Sequence, residues 1–393
     1  MKKTKVRTLI KQIRGVSYKP EDLHNELDDN SVILLRANNI GEGKINFDDV
    51  VYVDKSKVSD EQYLKVGDVL ICASSGSKNL VGKAASIRFN MKCTFGAFCK
   101  VIRPKNGFCE YLGVYFQSPV YRRKISEVAI GANINNIRNE HIDELDIPVF
   151  SNDEQVNVVK KMNLIQEIIL NRKAELEKLD NLIKARFVEM FGNPDLNEKE
   201  WDINKMERLC EVSSSKRIYQ NEQSVIGIPF LRISDLVNRM DTGSKECDLY
   251  IPEEKYEELK DQGLVPIKGD ILLTARGTLG RCYIIQENDE FYFQDGMITW
   301  LSNFNEKITS LYIAYLFSMP GFRKQIDALQ AGSTVAYLSI SMTKKLDIMV
   351  PPLELQNQFA DFVHQVDKSK VAVQKALDET QLLFDSLMQK YFG

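Results

Sequence analysis

The chain has 393 residues, of which 44% are hydrophobic and 27% charged. That length suits two or three folded domains, and the composition excludes wholesale disorder, collagen-like structure and a disulfide mini-scaffold. The net charge of −3 excludes an argument for nucleic-acid binding from overall balance, so the distribution of charge matters more than its sum.

The first segment, residues 1–150, is locally basic: residues 1–139 carry 23 Lys and Arg against 14 Asp and Glu. Its start (Lys2, Lys3, Lys5, Arg7) lacks the apolar run of a signal peptide, and no stretch approaches the roughly 18 apolar residues of a membrane span. A cytoplasmic location without membrane contact is expected. The seven cysteines (Cys72, Cys93, Cys99, Cys109, Cys210, Cys247, Cys282) contain no C-x-x-C pair and make an odd count, the pattern of reduced thiols.

Within this segment Leu35-Arg36-Ala37-Asn38-Asn39 ends a buried run in one cation and two amides. Val69 to Ile71 and Phe98 to Ile102 read as short strands, and Glu110 to Lys124 reads as a helix. Between the strands, Ser74-Ser75-Gly76-Ser77-Lys78-Asn79 with Gly82-Lys83 combines glycines, hydroxyls and cations. Glycines permit close approach, hydroxyls bond phosphate, and Arg or Lys and Asn can read guanine and adenine edges. An ordinary hairpin turn or a solvated strand end would carry the same residues.

Next, Ser151-Asn152-Asp153-Glu154 offers a helix cap with acid in the first turn. From Val158 a seam of Met162, Ile165, Ile169, Arg172, Leu176, Leu179, Ile183, Arg186 and Met190 steps by four and three alternately, eight of ten positions being apolar. With neither Pro nor Gly between Asp153 and Phe191, one helix over 151–192 is predicted, about 55 Å long at roughly 1.5 Å per residue. Gly192-Asn193-Pro194 stops it.

Residues 193–352 form a second mixed segment, acidic overall: 18 Lys and Arg stand against 24 Asp and Glu. Lys216-Arg217-Ile218-Tyr219 supplies a cation-aromatic cluster, and Leu231-Arg232-Ile233-Ser234-Asp235 resembles the Arg36 segment. Strands are predicted at Ile271 to Leu273 and Cys282 to Ile285, with the loop Thr274-Ala275-Arg276-Gly277-Thr278-Leu279-Gly280-Arg281 between them, and a helix at Ser310 to Leu329. A second long helix over 353–393 follows Pro351-Pro352. Its seam runs Phe359, Val363, Val366, Lys370, Val373, Leu377, Thr380, Phe384, Leu387 and Tyr391.

The chain is therefore written twice. Leu145-Asp146-Ile147-Pro148-Val149 recurs as Leu346-Asp347-Ile348-Met349-Val350 at an offset of 201, and the match continues ungapped to Phe191-Gly192 and Phe392-Gly393. Upstream, Gly67-Asp68-Val69-Leu70-Ile71 pairs with Gly269-Asp270-Ile271-Leu272-Leu273, Gly82 with Gly280, Gly96 with Gly296, Arg123-Lys124 with Arg323-Lys324 and Gly131 with Gly332. The expected fold is α+β: two α/β globules alternating with two long helices, related by an internal pseudo-two-fold repeat.

Catalytic signatures are missing. Gly41-Glu42-Gly43-Lys44 and Gly82-Lys83 fall short of a phosphate-binding G-x-x-x-x-G-K-[ST] loop, and no G-x-G-x-x-G or H-E-x-x-H occurs. His24, His141 and His364 are too scattered for a metal site or a triad. Pro194-Asp195 with Glu198 and Lys199 has the wrong spacing for a metal nuclease.

The order of these segments resembles the specificity subunit of type I restriction-modification systems across essentially the whole chain. It rests on Gly131-Ala132-Asn133-Ile134-Asn135-Asn136-Ile137, Leu145 to Val149 and the helix ending Met190-Phe191-Gly192-Asn193-Pro194. The second half repeats the pattern in Gly332-Ser333-Thr334, Leu346 to Pro352, Leu353-Glu354-Leu355-Gln356 and Tyr391-Phe392-Gly393. Ile228-Pro229-Phe230-Leu231-Arg232 is similar to the opening of a target-recognition domain.

The resemblance implies a non-catalytic subunit in which each globule reads half of a split double-stranded DNA site. The two helices then pack antiparallel as a spacer. It also implies two adenine-N6 methyltransferase subunits and, for restriction, translocating endonuclease subunits, which hold the S-adenosylmethionine, ATP and Mg. The candidate DNA-binding residues are Arg36, Asn38, Asn39, Ser75, Ser77, Lys78, Lys83, Lys216, Arg217, Tyr219, Arg232, Ser234, Arg276, Thr278 and Arg281. The candidate spacer seam is Ile165, Ile169, Leu176, Leu179, Ile183, Val366, Val373, Leu377, Phe384 and Leu387. A duplicated coiled-coil scaffold that binds only proteins, or an enzyme in its own right, are the competing readings.

Overall fold

A computed structural model of the chain describes residues 2–41, 43–77, 79–105, 109–128, 135–330 and 336–393. Lys78 and the segments Gly131 to Ile134 and Gly332 to Thr334 lie outside the described residues. The chain divides into two compact units: residues 1–174 with 374–393, and residues 175–373.

In the first unit, Ile10–Arg14, Cys99–Pro104, Val69–Cys72 and Ala84–Ser86 form an antiparallel sheet in that order. A second sheet orders Leu23–His24, Val51–Asp54, Ser31–Leu35 and Cys93–Phe95, the last pair running parallel. The second unit repeats the first of these sheets as Glu211–Ser213, Ile298–Ser302, Ile271–Thr274 and Cys282–Ile284. Its Ile228–Leu231 pairs parallel with Tyr292–Phe293, as Ser31–Leu35 does with Cys93–Phe95.

The repeated Gly-Asp pair has a structural cause. Gly67 and Gly269 turn the chain into the sheet at φ of 91° and 89°, a left-handed conformation that favours glycine. Each following aspartate accepts from the backbone three residues upstream, Lys65 N to Asp68 at 2.9 Å and Ile267 N to Asp270 at 3.0 Å. Both carboxylates are then buried and need a partner. Arg103 holds Asp68 in a bidentate pair at 2.8 and 2.7 Å, whereas the indole of Trp300 donates to Asp270 at 2.8 Å.

The helix predicted over Glu110 to Lys124 is two helices, Cys109–Tyr115 and Pro119–Val128, and that over Ser310 to Leu329 is likewise Ser310–Ser318 and Pro320–Leu329. Pro119 and Pro320 have no N–H to continue a helix, but they suit the first position of a new one. These prolines align at the same offset of 201. The repeat therefore pairs Arg122-Arg123 with Arg323-Lys324, one residue earlier than the sequence comparison placed it.

The long helices run Asn152–Phe191 and Leu353–Phe392, 40 residues each. Ser151 and Glu154 close a capping box at the first, with bonds of 3.0 and 3.4 Å between each side chain and the other's backbone N–H. Gly192 ends it at φ 81°. Each helix begins in one unit and ends in the other. Inside the first unit, Val158, Val159 and Met162 share a core with Met388 and Phe392. Inside the second, Ile183, Phe187 and Phe191 share one with Phe359, Val363 and Val366. The helices are thus antiparallel in both. Of the seam residues, Ile165, Ile169, Ile183, Val366, Val373 and Leu377 are buried, and Leu176, Leu179, Phe384 and Leu387 half-buried.

Each unit is completed by the terminal phenylalanine of the other repeat's helix. Phe392 packs on Tyr111 and Tyr115 with ring centroids 5.4 and 5.7 Å apart. Its counterpart Phe191 packs on Tyr312, the counterpart of Tyr111, at 4.9 Å. Phe392→Ala is expected to destabilise the first unit by about 3–5 kcal/mol and leave the second unchanged, read as a selective loss of hydrogen-exchange protection at Tyr111 and Leu112. Equal loss in both units would contradict this.

Candidate nucleic-acid interface

In the first unit, the turn Ala37–Asn39 follows the strand Ser31–Leu35. Asn39 Oδ1 accepts from Arg36 N at 2.8 Å, and Asp49 gathers the rest. Arg36 Nη2 and Asn38 Nδ2 reach its Oδ2 at 2.9 and 2.8 Å, while Asn39 Nδ2 reaches its carbonyl at 3.3 Å. Asn39 is fully buried and its amide is spent on the turn, so Arg36 and Asn38 are the members of this set that reach the surface.

Arg36 and Asn38 line a cavity of about 480 Å³ together with Tyr18, Ser74 and Phe98. Of the glycine loop, Ser74 lines it; the candidates Ser75 and Ser77 follow in the chain, Ser75 Oγ accepting from Ser77 N at 3.1 Å. Folding has joined two sequence sets separated by about 40 residues. Phe98, 69% exposed at this cavity, escaped the sequence reading, although an apolar ring in a turn directly after Gly96 was a visible signal.

A neighbouring cavity of about 410 Å³ shares Ser74 and Cys99 and is lined by Arg14, Lys100, Asn136 and Arg138. Lys100 is buried there, donating to Asn139 Oδ1 at 2.6 Å and Ile137 O at 3.4 Å. Burial pushes its ammonium down to about 8, against the opposing pull of Asp143 and Glu140.

Lys83 sits elsewhere. It lines a cavity of about 420 Å³ with Arg122, Gln166 and Phe384, on the side of the long helices. Arg122 holds the preceding loop by donating to the carbonyls of Val81 and Asn79 at 2.5 and 2.9 Å.

The second unit reproduces this frame with different charges. Arg232 begins the helix Ile233–Thr242 as Arg36 begins its turn, its N–H donating to Asp235 at 2.9 Å. Its guanidinium also reaches Asp235 and Asp248, and these carboxylates push its pKa up. Ser234 is exposed on the same turn. Arg217 pairs with Asp295 at 2.9 Å, and the exposed Lys216 and Tyr219 flank it, with Lys216 N donating to the hydroxyl of Tyr292 at 2.8 Å.

Arg281, like Lys83, faces a helix-side cavity, of about 540 Å³ with Arg323 and Asp367, and pairs with Asp241 at 2.6 Å. That bond holds the Asp241 carboxyl below the usual range. Arg323 grips the loop as Arg122 does, donating to Leu279 O at 2.7 Å. Arg276 and Thr278 are exposed between these anchors.

Residues 198–380 match the family model described as the type I restriction modification DNA specificity domain. The chain is 31% identical to the EcoKI specificity subunit of a type I restriction enzyme from Escherichia coli K12, over 98% of this chain and 87% of that one. It is 29% identical, with the same coverages, to the StySPI specificity subunit of Salmonella potsdam. The chain belongs to the type I restriction enzyme specificity subunits. A crystal structure of a type I restriction-modification system S subunit from M. genitalium shares the fold, with a TM-score of 0.54, 16% identity and coverage of 100% and 96%. A type I restriction-modification structure solved to explain complex assembly aligns at 0.56, with 14% identity, over 100% and 97%.

The family assignment agrees with the internal repeat. One family-model match covers the second half, while the EcoKI and StySPI subunits align through both. Among the described residues, no helix is long and apolar enough to cross a membrane.

In this specificity subunit Lys100 also makes stability depend on pH. Its folded pKa lies at about 8, against an ordinary 10.5, so between those values the unfolded chain holds a proton the folded chain lacks. Stability from this group therefore rises as pH increases through that window. Urea midpoints of wild type relative to Lys100→Met are expected to climb from pH 7.5 to 10; a constant difference would contradict the assignment.

Proposed function

We propose that this chain is the DNA-recognition subunit of a type I restriction-modification complex. Residues 1–150 and 193–352 act as two target-recognition domains, each reading half of a bipartite site on double-stranded DNA in the cytoplasm. Residues 151–192 and 353–393 are the spacer helices. The observation that carries this reading is the duplicated frame. In both units an Arg-gripped glycine loop and an arginine-led turn present exposed polar side chains, and the chemistry of those side chains differs between the copies. Two unlike readers on one scaffold fit an asymmetric split sequence.

Catalysis belongs to the partners in this reading: two adenine-N6 methyltransferase subunits and restriction and translocase subunits, which hold the S-adenosylmethionine, ATP and Mg. Apolar side chains left exposed on the long helices support helix docking of the methyltransferases. Leu164, Leu182 and Val188 on the first helix, and Val371, Leu382 and Leu383 on the second, are each 44% exposed or more.

The deciding experiment maps N6-methyladenine across a genome in cells expressing the methyltransferase with and without this chain. A split motif that appears only with the chain is the expected outcome. Stable co-purification with the methyltransferase but no new methylation would favour the protein-scaffold reading.

The spacer role has its own test. Deleting one heptad from each helix, Leu176 to Leu182 and Val371 to Leu377, preserves both seams and is expected to change the number of base pairs between half-sites. An unchanged gap would sink the ruler role without touching base recognition.

A further inference from the structure

We infer that Arg276 and Tyr337 form a guanine-reading pair in the second unit, with Arg276 contacting the base and Tyr337 positioning it; this rests on the DNA-recognition reading above. Both units build the same crossing beside the glycine loop. Ile137 N donates to Ala73 O at 2.8 Å in the first, and Leu338 N to Ala275 O at 2.9 Å in the second. The residues flanking these bonds face each other: Ser74 with Asn136, and Arg276 with Tyr337.

On that shared backbone the side chains differ completely. Ser74 and Asn136 make a neutral hydroxyl–amide bond of 2.7 Å. Arg276 instead lies over the ring of Tyr337, its guanidinium carbon 5.1 Å from the centroid. The other three candidate DNA-binding arginines of this unit, Arg217, Arg232 and Arg281, each pair with a carboxylate. Arg276 is exposed and, among the described residues, has no carboxylate partner.

The surroundings fix this arrangement. Gln330 clamps Tyr337 on both sides of its backbone, accepting from its N–H at 2.8 Å and donating to its carbonyl at 2.9 Å. The loop carrying Arg276 is pinned by Thr274, whose hydroxyl donates to Thr278 O at 2.5 Å and accepts from Arg281 N at 3.0 Å. A guanidinium that meets an aromatic ring through its π face, rather than a carboxylate through its edge, keeps its N–H groups free. Two parallel donors match guanine O6 and N7, whereas adenine places an amino group where O6 would be.

The test uses the full chain assembled with its methyltransferase subunits and reads the methylated motif. Arg276→Lys keeps the charge but loses the fork, and Tyr337→Leu loses the ring; both are expected to relax preference for one guanine in one half-site by about tenfold or more, with the other half-site unaltered. Tyr337→Phe keeps the ring and is expected to keep the wild-type motif. An unchanged motif in Arg276→Lys overturns the proposal. So does uniform weakening across all sequences, which would make Arg276 a phosphate contact. A wild-type complex with no split motif would overturn the DNA-recognition reading itself.

Discussion

The fold depends on the seating of each helix's terminal phenylalanine on a tyrosine of the opposite repeat. Phe392 is one residue from the end of the sequence, yet it is 1% exposed and touches two tyrosines of the first unit. Phe191 plays the same part in the second, meeting Tyr312 and Phe359 edge to face. Neither globule closes its core with residues of its own half alone. The aromatic contacts make the repeats mutually dependent, and they explain why the match between halves is ungapped from Leu145 and Leu346 onward: an insertion there would move the phenylalanine off its tyrosine.

Upstream of those helices the constraint relaxes, and the loops show where. The Gly-Asp turn, the strand after it and the arginine that grips the loop are kept in both units, but the loop between them is four residues shorter in the second copy. Anchors held by backbone geometry tolerate no change, whereas the side chains they present are free to vary. That division lets one scaffold carry two specificities.

Much of this was legible in the sequence because it rests on periodicity. The heptad seam, the offset of 201 and the paired strands follow directly from which positions are apolar. What escaped depends on contacts distant in the chain. Pro119 and Pro320 were visible, yet only the packed structure makes each the start of a new helix. Asn39 looked like a base reader because its neighbours do, but Asp49 and the backbone of Arg36 consume it. Tyr337 carried no local signal, being placed against Arg276 by a strand crossing 61 residues away in the chain.

The acidic balance of the second unit is reconciled with DNA binding by the way its arginines are paired. Arg217, Arg232 and Arg281 each lie against a carboxylate, at a surface where solvent screening leaves such a pair little net energy. Pairs this weak can rearrange when a better acceptor arrives, but they offer little to a random phosphate, whose approach the neighbouring aspartates oppose. Specificity is a difference of affinities, and lowering the indiscriminate electrostatic term raises that difference as surely as a new base contact does. The unit with fewer available cations is thus suited to depend on base chemistry, and Arg276, a candidate reader with no carboxylate partner among the described residues, lies over the ring of Tyr337.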